Sequence, residues 1–180
     1  ILYVGQKGHP EAEAVLDIDH KHISLLEVGK PIPNIETDKL FVTNQTTMSI
    51  LDIKETLAQI RSAYPFAIIS DEICSATRLR QEAILKLPES VDGIIVIGDK
   101  SSNNTRMLVK IAENKKIKVI VPIQNLRELN PDLLESCQEV AITAGASTPK
   151  FIIDEIVNFT KAYASDLNAK KEDFLINPFI

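Results

Sequence analysis

Five polar stretches of the chain carry side chains able to do chemistry, and each comes after a short apolar run. Gly8-His9-Pro10-Glu11 follows Leu2–Val4, and Thr43-Asn44-Gln45-Thr46-Thr47 follows Leu40–Val42. Phe66–Ile69 leads into Ser70-Asp71-Glu72-Ile73-Cys74, while Ile94–Ile97 leads into Gly98-Asp99-Lys100-Ser101-Ser102-Asn103-Asn104-Thr105. Val140–Ile142 runs into Thr143-Ala144-Gly145-Ala146-Ser147-Thr148-Pro149. Hydroxyls, amides and free backbone N–H groups at a helix N-terminus suit an anion, because the helix dipole presents its positive end there. Neutral donors of this kind fit a diphosphate, each charge-assisted bond contributing about 1.5–3 kcal/mol. His9 and Glu11, two apart at a helix start, pair a hydrogen-bond donor with a proton donor. Cys74 stands at a helix N-terminus, a position that suits a thiolate ligand to iron or zinc.

Simple capping competes with every one of these readings. Thr148-Pro149 reads as an N-cap followed by an N1 proline, Ser49 with Asp52 as a capping box, and Pro10-Glu11 as an ordinary helix start. Four junctions with Ser and Asn beyond what a cap needs favour the anion site. His20 and His22 with His9 make a weak case for zinc, since no second ligand pair supports them. Neither a Walker lysine loop nor a G-x-G-x-x-G fingerprint occurs.

The elements that must position these groups follow from the hydrophobic pattern. Apolar, β-branched runs recur at Leu2–Val4, 23–28, Leu40–Val42, Phe66–Ile69, Ile94–Ile97, 119–121 and Val140–Ile142, without alternation, as in parallel strands covered on both faces. Between them, apolar residues take helical spacing: Ile50, Ile53, Leu57 and Ile60; Leu79, Ala83, Ile84 and Leu87; Met107, Leu108, Ile111 and Ala112; Ile152, Ile153, Ile156 and Phe159. The expected fold is α/β, with two lobes of parallel-sheet βαβ units. Pro65 marks the expected boundary, giving a partial lobe over 1–64, a second over 65–166 and a tail over 167–180 with a docking segment at Phe174-Leu175-Ile176. In such a fold all strand-to-helix junctions of a sheet share its carboxyl edge, where ligands bind.

Lys+Arg 20 against Asp+Glu 25 leaves a net charge of -5, which argues against nucleic acid or an anionic membrane as the main partner. No apolar run reaches the ~18 residues of a membrane span. Two cysteines make no disulfide framework, so the expected location is a reducing cytoplasm. The chain opens on Ile1 within a strand-like run, and a longer parent protein is expected.

Taken in order, Gly8-His9-Pro10-Glu11-Ala12-Glu13, Gln45-Thr46-Thr47, Ile73-Cys74-x-Ala76-Thr77-x-x-Arg80-Gln81, Lys100-x-Ser102-x-Asn104-Thr105 and Thr143-Ala144-Gly145-Ala146-Ser147-Thr148-Pro149 resemble the 4-hydroxy-3-methylbut-2-enyl diphosphate reductases of the methylerythritol phosphate isoprenoid pathway. The resemblance reaches to about Thr160. It implies three α/β lobes around a 4Fe–4S cluster held by one cysteine from each lobe, and reductive dehydroxylation of an allylic diphosphate to isopentenyl and dimethylallyl diphosphate. Electrons would come from a ferredoxin or flavodoxin type donor. Carried over by motif, Cys74 is a cluster ligand and Glu11 the proton donor to the leaving hydroxyl. By the same resemblance His9 would contact the diphosphate, Thr46 would sit near the substrate hydroxyl, and Ser102, Asn104 and Ser147 would hold diphosphate oxygens. The other two ligand cysteines have no counterpart here, Cys137 lying off any ligand motif, so the chain alone is expected to be inactive. The alternative is a degenerate, non-enzymatic binder of a phosphorylated metabolite.

Overall fold

The computed structural model describes residues 1–176 as two compact α/β units, the first ending at Arg78 and the second beginning at Leu79. In the first, β1 (Leu2–Val4), β2 (Ser24–Leu26), β3 (Phe41–Asn44) and β4 (Ile68–Ile69) form one parallel sheet in the order β2-β1-β3-β4. Helix α1 (Pro10–Leu16) follows β1, and α2 (Ile50–Ala63) follows β3. The central strand β1 is buried throughout because it serves two cores at once. Leu2 and Val4 join Val42 and the α2 residues Ile53, Leu57 and Ile60, whereas Tyr3 packs with Ala12 of α1 and Ile23. That is why a strand of alternating facing shows no polar alternation.

In the second unit β5 (Gly93–Ile97) lies between β6 (Val119–Ile123) and β7 (Val140–Ala144), again all parallel. Helices α4 (Asn103–Asn114) and α5 (Lys150–Ser165) follow β5 and β7. Leu108, Ile111 and Ala112 of α4 are buried, and Ile156 and Phe159 of α5 join a core with Ile95, Ile97, Val121 and Ile123. Phe174 meets Phe159 edge-on at 5.8 Å between ring centroids, and Leu175 packs on the same core. Helix α3 (Ser75–Leu85) runs through the division between the units.

Two sequence expectations are corrected. Phe66–Ile69 was expected to open the second lobe, yet β4 pairs with β3 in the register Phe41↔Ile68 and Val42↔Ile69. Pro65 ends a helix there, not a unit: Ile68 N donates to Leu40 O (2.9 Å) and Ser70 N to Val42 O (2.8 Å), which returns the chain to the first sheet. Thr148 is not the N-cap of α5. Its hydroxyl donates to Ile97 O at 3.1 Å, and Pro149 takes the cap position without a side-chain cap bond.

Candidate functional site

The expected site residues fall into two groups, one on the carboxyl edge of each sheet. In the first unit, β1 ends at Val4, and a turn through Gly5 and Gly8 delivers His9 as the N-cap of α1, its Nδ1 accepting from Glu11 N at 3.2 Å with Pro10 at N1. This ordinary cap places Glu11 in the first turn, facing the junction after β3. There Thr46 N donates to Glu11 Oε1 (2.9 Å) and the Thr46 hydroxyl to Oε2 (3.0 Å). The carboxyl is therefore gripped by both donors of one residue, 35 positions away in sequence. Thr46 O in turn accepts from Cys74 N at 3.0 Å, and Cys74 O accepts from Arg78 N at 2.9 Å as the turn after β4 enters α3. Glu11, Thr46 and Cys74 thus form one continuous hydrogen-bonded chain across three junctions, with the Cys74 side chain exposed.

Two amides that support this edge were read only as junction residues. Buried Asn44 accepts from Glu72 N (3.1 Å) through Oδ1 and donates to Gln45 O (3.0 Å), so it ties the β3 and β4 junctions together. Buried Gln45 accepts from Gln6 N (3.0 Å), tying β3 to β1. A third group was missed altogether: the Tyr3 hydroxyl donates to Glu11 Oε1 at 3.3 Å. Burial, and then the neighbouring Glu11 charge, push the Tyr3 phenol well above its usual range. In the sequence Tyr3 is simply one residue of a short apolar strand.

The second group is built on the carboxyl edge of β5 and β7. Asp99 accepts from both the N–H and hydroxyl of Ser101 (2.7 Å each), which holds its carboxyl below the usual range and shapes the turn. Ser102 then stands as the N-cap of α4 with no side-chain cap bond. Asn104 is 7% exposed, and neither its Nδ2 nor its Oδ1 has a hydrogen-bond partner. A buried amide left this way costs about 1–3 kcal/mol, so a ligand that meets it recovers the loss. The junctions meet closely: a Cβ on Gly98 would lie 2.5 Å from Thr105 Oγ1, and one on Gly145 would lie 2.9 Å from the same atom and 3.8 Å from Asn104 Nδ2. Only residues without a side chain allow that approach. Ser147 is exposed in the loop that follows Gly145. Lys100 is paired with Glu128 at 2.9 Å, which holds the Glu128 carboxyl below its usual range. Ser102, Asn104 and Ser147 are neutral donors on this edge, beside the Arg80 guanidinium, whose Nε donates to Ala144 O at 3.0 Å.

His9, Glu11, Thr46 and Cys74 share the first edge, and Ser102, Asn104 and Ser147 the second. His20 and His22 lie on an exposed turn beside Asp17 (3.5 Å) and Asp19 (2.7 Å). Among the described residues no three His, Cys, Asp or Glu side chains gather as metal ligands. Exposed Cys74, on the edge that also carries Glu11, has the position and donor chemistry for one ligand of an iron–sulfur cluster. Cys137 does not: it is half-buried, beside Asp92 and Lys118, and burial raises its thiol. No described helix is long and apolar enough to cross a membrane.

Comparison with known proteins matches residues 1–161 to the LytB protein family. The chain is 37% identical over 176 residues to the 4-hydroxy-3-methylbut-2-enyl diphosphate reductase of Geobacillus sp. (strain WCH70), covering 96% of this chain and 56% of that protein. It is also 37% identical over 165 residues to the reductase of the same name from Bacillus subtilis (strain 168), covering 91% and 52% respectively. Among solved structures, the E-1-hydroxy-2-methyl-but-2-enyl-4-diphosphate reductase from Plasmodium falciparum superposes with a TM-score of 0.82 at 26% identity, over 94% of this chain and 54% of that one. The chain spans about half the length of the curated relatives it matches.

Proposed function

The chain belongs to the LytB family, and from that premise we propose that it is the portion of a 4-hydroxy-3-methylbut-2-enyl diphosphate reductase that supplies the proton and most of the diphosphate contacts. The reaction consumes two electrons and two protons, and the allylic hydroxyl leaves as water. The observation that carries the reading is the hydrogen-bonded chain Glu11–Thr46–Cys74, which links the acid to the Thr46 hydroxyl and, through backbone Cys74 N to Thr46 O, to the residue that bears the exposed thiol. In this reading the Glu11 carboxyl gives its proton to Thr46 Oγ1, and the Thr46 hydroxyl passes one to the departing oxygen. A hydroxyl both accepts and donates, so the relay needs only rotation of Oγ–H.

Cys74 would hold a 4Fe–4S cluster together with cysteines of the parent protein that this chain does not carry, and the cluster, when bound, would supply single electrons. Ser102, Asn104 and Ser147 would take diphosphate oxygens, with the unpartnered Asn104 amide as the strongest support. His9 has its Nδ1 engaged in the α1 cap, which leaves Nε2 for the diphosphate. The reading carries with it a cytoplasmic location and a ferredoxin or flavodoxin type electron donor.

The test is anaerobic reconstitution of the full-length protein with iron and sulfide, then assay with the allylic diphosphate and a chemical reductant. A 4Fe–4S absorption spectrum with formation of isopentenyl and dimethylallyl diphosphate is expected. A folded protein that takes up no cluster, or takes it up without turnover, overturns the reading in favour of a degenerate binder of a phosphorylated metabolite.

A further inference from the structure

We propose that Tyr3 is a positioning residue for Glu11, its hydroxyl holding the carboxyl from the β1 side while Thr46 holds it from the β3 side. The proposal rests on the reading of Glu11 as the proton donor and adds a residue to it. Three observations place Tyr3 in this role. Its hydroxyl lies 3.3 Å from Oε1, the same oxygen that accepts from Thr46 N, so Oε2 is left facing the Thr46 hydroxyl alone. The two oxygens are thereby distinguished, one anchored by two donors and the other available to the relay.

The ring itself has little freedom. Tyr3 is 3% exposed and packed among Ala12, Ile23, Val15, Leu16 and Leu25, so it moves only with α1 and its neighbours. It also lies over Gly5: a Cβ there would come within 2.9 Å of Tyr3 Cε1. The bare backbone at Gly5 thus leaves room for the ring pose that brings the hydroxyl to Glu11. Since burial and the Glu11 charge raise the phenol, Tyr3 keeps its proton and remains a donor at every working pH.

A proton donor held to within a fraction of an ångström transfers faster than one free to rotate, and the gain appears in turnover rather than in substrate binding. In the full-length, cluster-loaded protein Tyr3→Phe keeps the packed ring and removes one hydroxyl. It is expected to lower kcat about tenfold with KM unchanged, the size of a lost hydrogen bond to a charged group. A Gly5→Ala variant, which pushes the ring instead of deleting the hydroxyl, should lower kcat in the same direction.

A double-mutant cycle with Glu11→Gln separates positioning from plain packing. Once the acid is gone its orientation is immaterial, so Tyr3→Phe should change the residual turnover of Glu11→Gln by less than twofold. Unchanged kcat in Tyr3→Phe, or equal losses with and without Glu11, overturns the proposal. If Glu11→Gln itself turns over normally, the reading of Glu11 fails, and that outcome is distinct from the failure of Tyr3 alone.

Discussion

The two sheet edges carry polar residues of similar type and treat them in opposite ways. On the first, Glu11, Thr46, Asn44 and Gln45 are satisfied by one another and by the neighbouring Gln6, Thr47 and Glu72 through bonds of 2.9–3.2 Å, so the edge is organised before anything binds. On the second, Ser102 caps nothing with its side chain, Ser147 is exposed and the Asn104 amide is buried without a partner. The difference matches two tasks. A group that moves a proton gains from being fixed in advance, whereas a group that receives an anion must keep donors unspent until the anion arrives.

The sharpest way to break this contrast is at the exposed thiol of the first edge. Cys74→Ser in the full-length protein is expected to abolish both the visible iron–sulfur absorbance and turnover, and retention of either would remove Cys74 as a ligand. Next in size is Glu11→Gln. Cluster content and substrate affinity should stay close to the original while turnover falls about 10²–10⁴-fold, as for a lost general acid. Normal turnover measured in the loaded variant would show that the fixed carboxyl serves structure only.

Asn104→Ala probes the second edge and should split two quantities that usually move together. Pyrophosphate affinity, read by calorimetry, should weaken about tenfold or more, as for a lost bond to a charged ligand. Urea midpoints should hold or rise, because the amide removed makes no bond in the folded chain and its unpaired burial costs about 1–3 kcal/mol. A large loss of stability with unchanged affinity would mean that Asn104 is a core residue.

The smallest effect concerns the two thiols. Cys137 is half-buried with its thiol pushed up by burial and by Asp92, while Cys74 is exposed. Iodoacetamide at pH 8 should therefore label Cys74 severalfold faster, as followed by peptide mass mapping. Sign and cause agree, since a raised thiol holds less thiolate at that pH. Equal rates would contradict the difference in setting between the two thiols, Cys137 lying near Gly93 at the amino end of β5.

Much of this contrast is legible in the sequence because it depends on local features. Each polar junction sits between a β-branched run and an amphipathic helix, and those periodicities place Glu11, Thr46, Cys74, Ser102, Asn104 and Ser147 at strand ends on carboxyl edges. Ser49 caps α2 as expected, accepting from Asp52 N at 3.4 Å. Where the reading failed, a distant partner prevailed. Thr148 has the residue type and position of an N-cap, but the carbonyl of Ile97, 51 residues away, offers its hydroxyl a better bond. Pro65 has the look of a boundary, but Leu40 and Val42 present the unpaired carbonyls that draw β4 into the first sheet.

By itself the sequence determined the alternation of parallel strands and helices, the chemistry available at each junction and the family, because periodicity, capping and motif spacing act over a few residues. Only the tertiary structure decided which of those groups are spent and which are left waiting. That the Tyr3 hydroxyl meets Glu11, that Thr46 grips the same carboxyl with both its donors, and that the Asn104 amide meets nothing all follow from strand register and from glycines that let junctions close on one another. A hydrogen bond is made or lost within a few tenths of an ångström, and that distance is set by the packing of segments far apart along the chain.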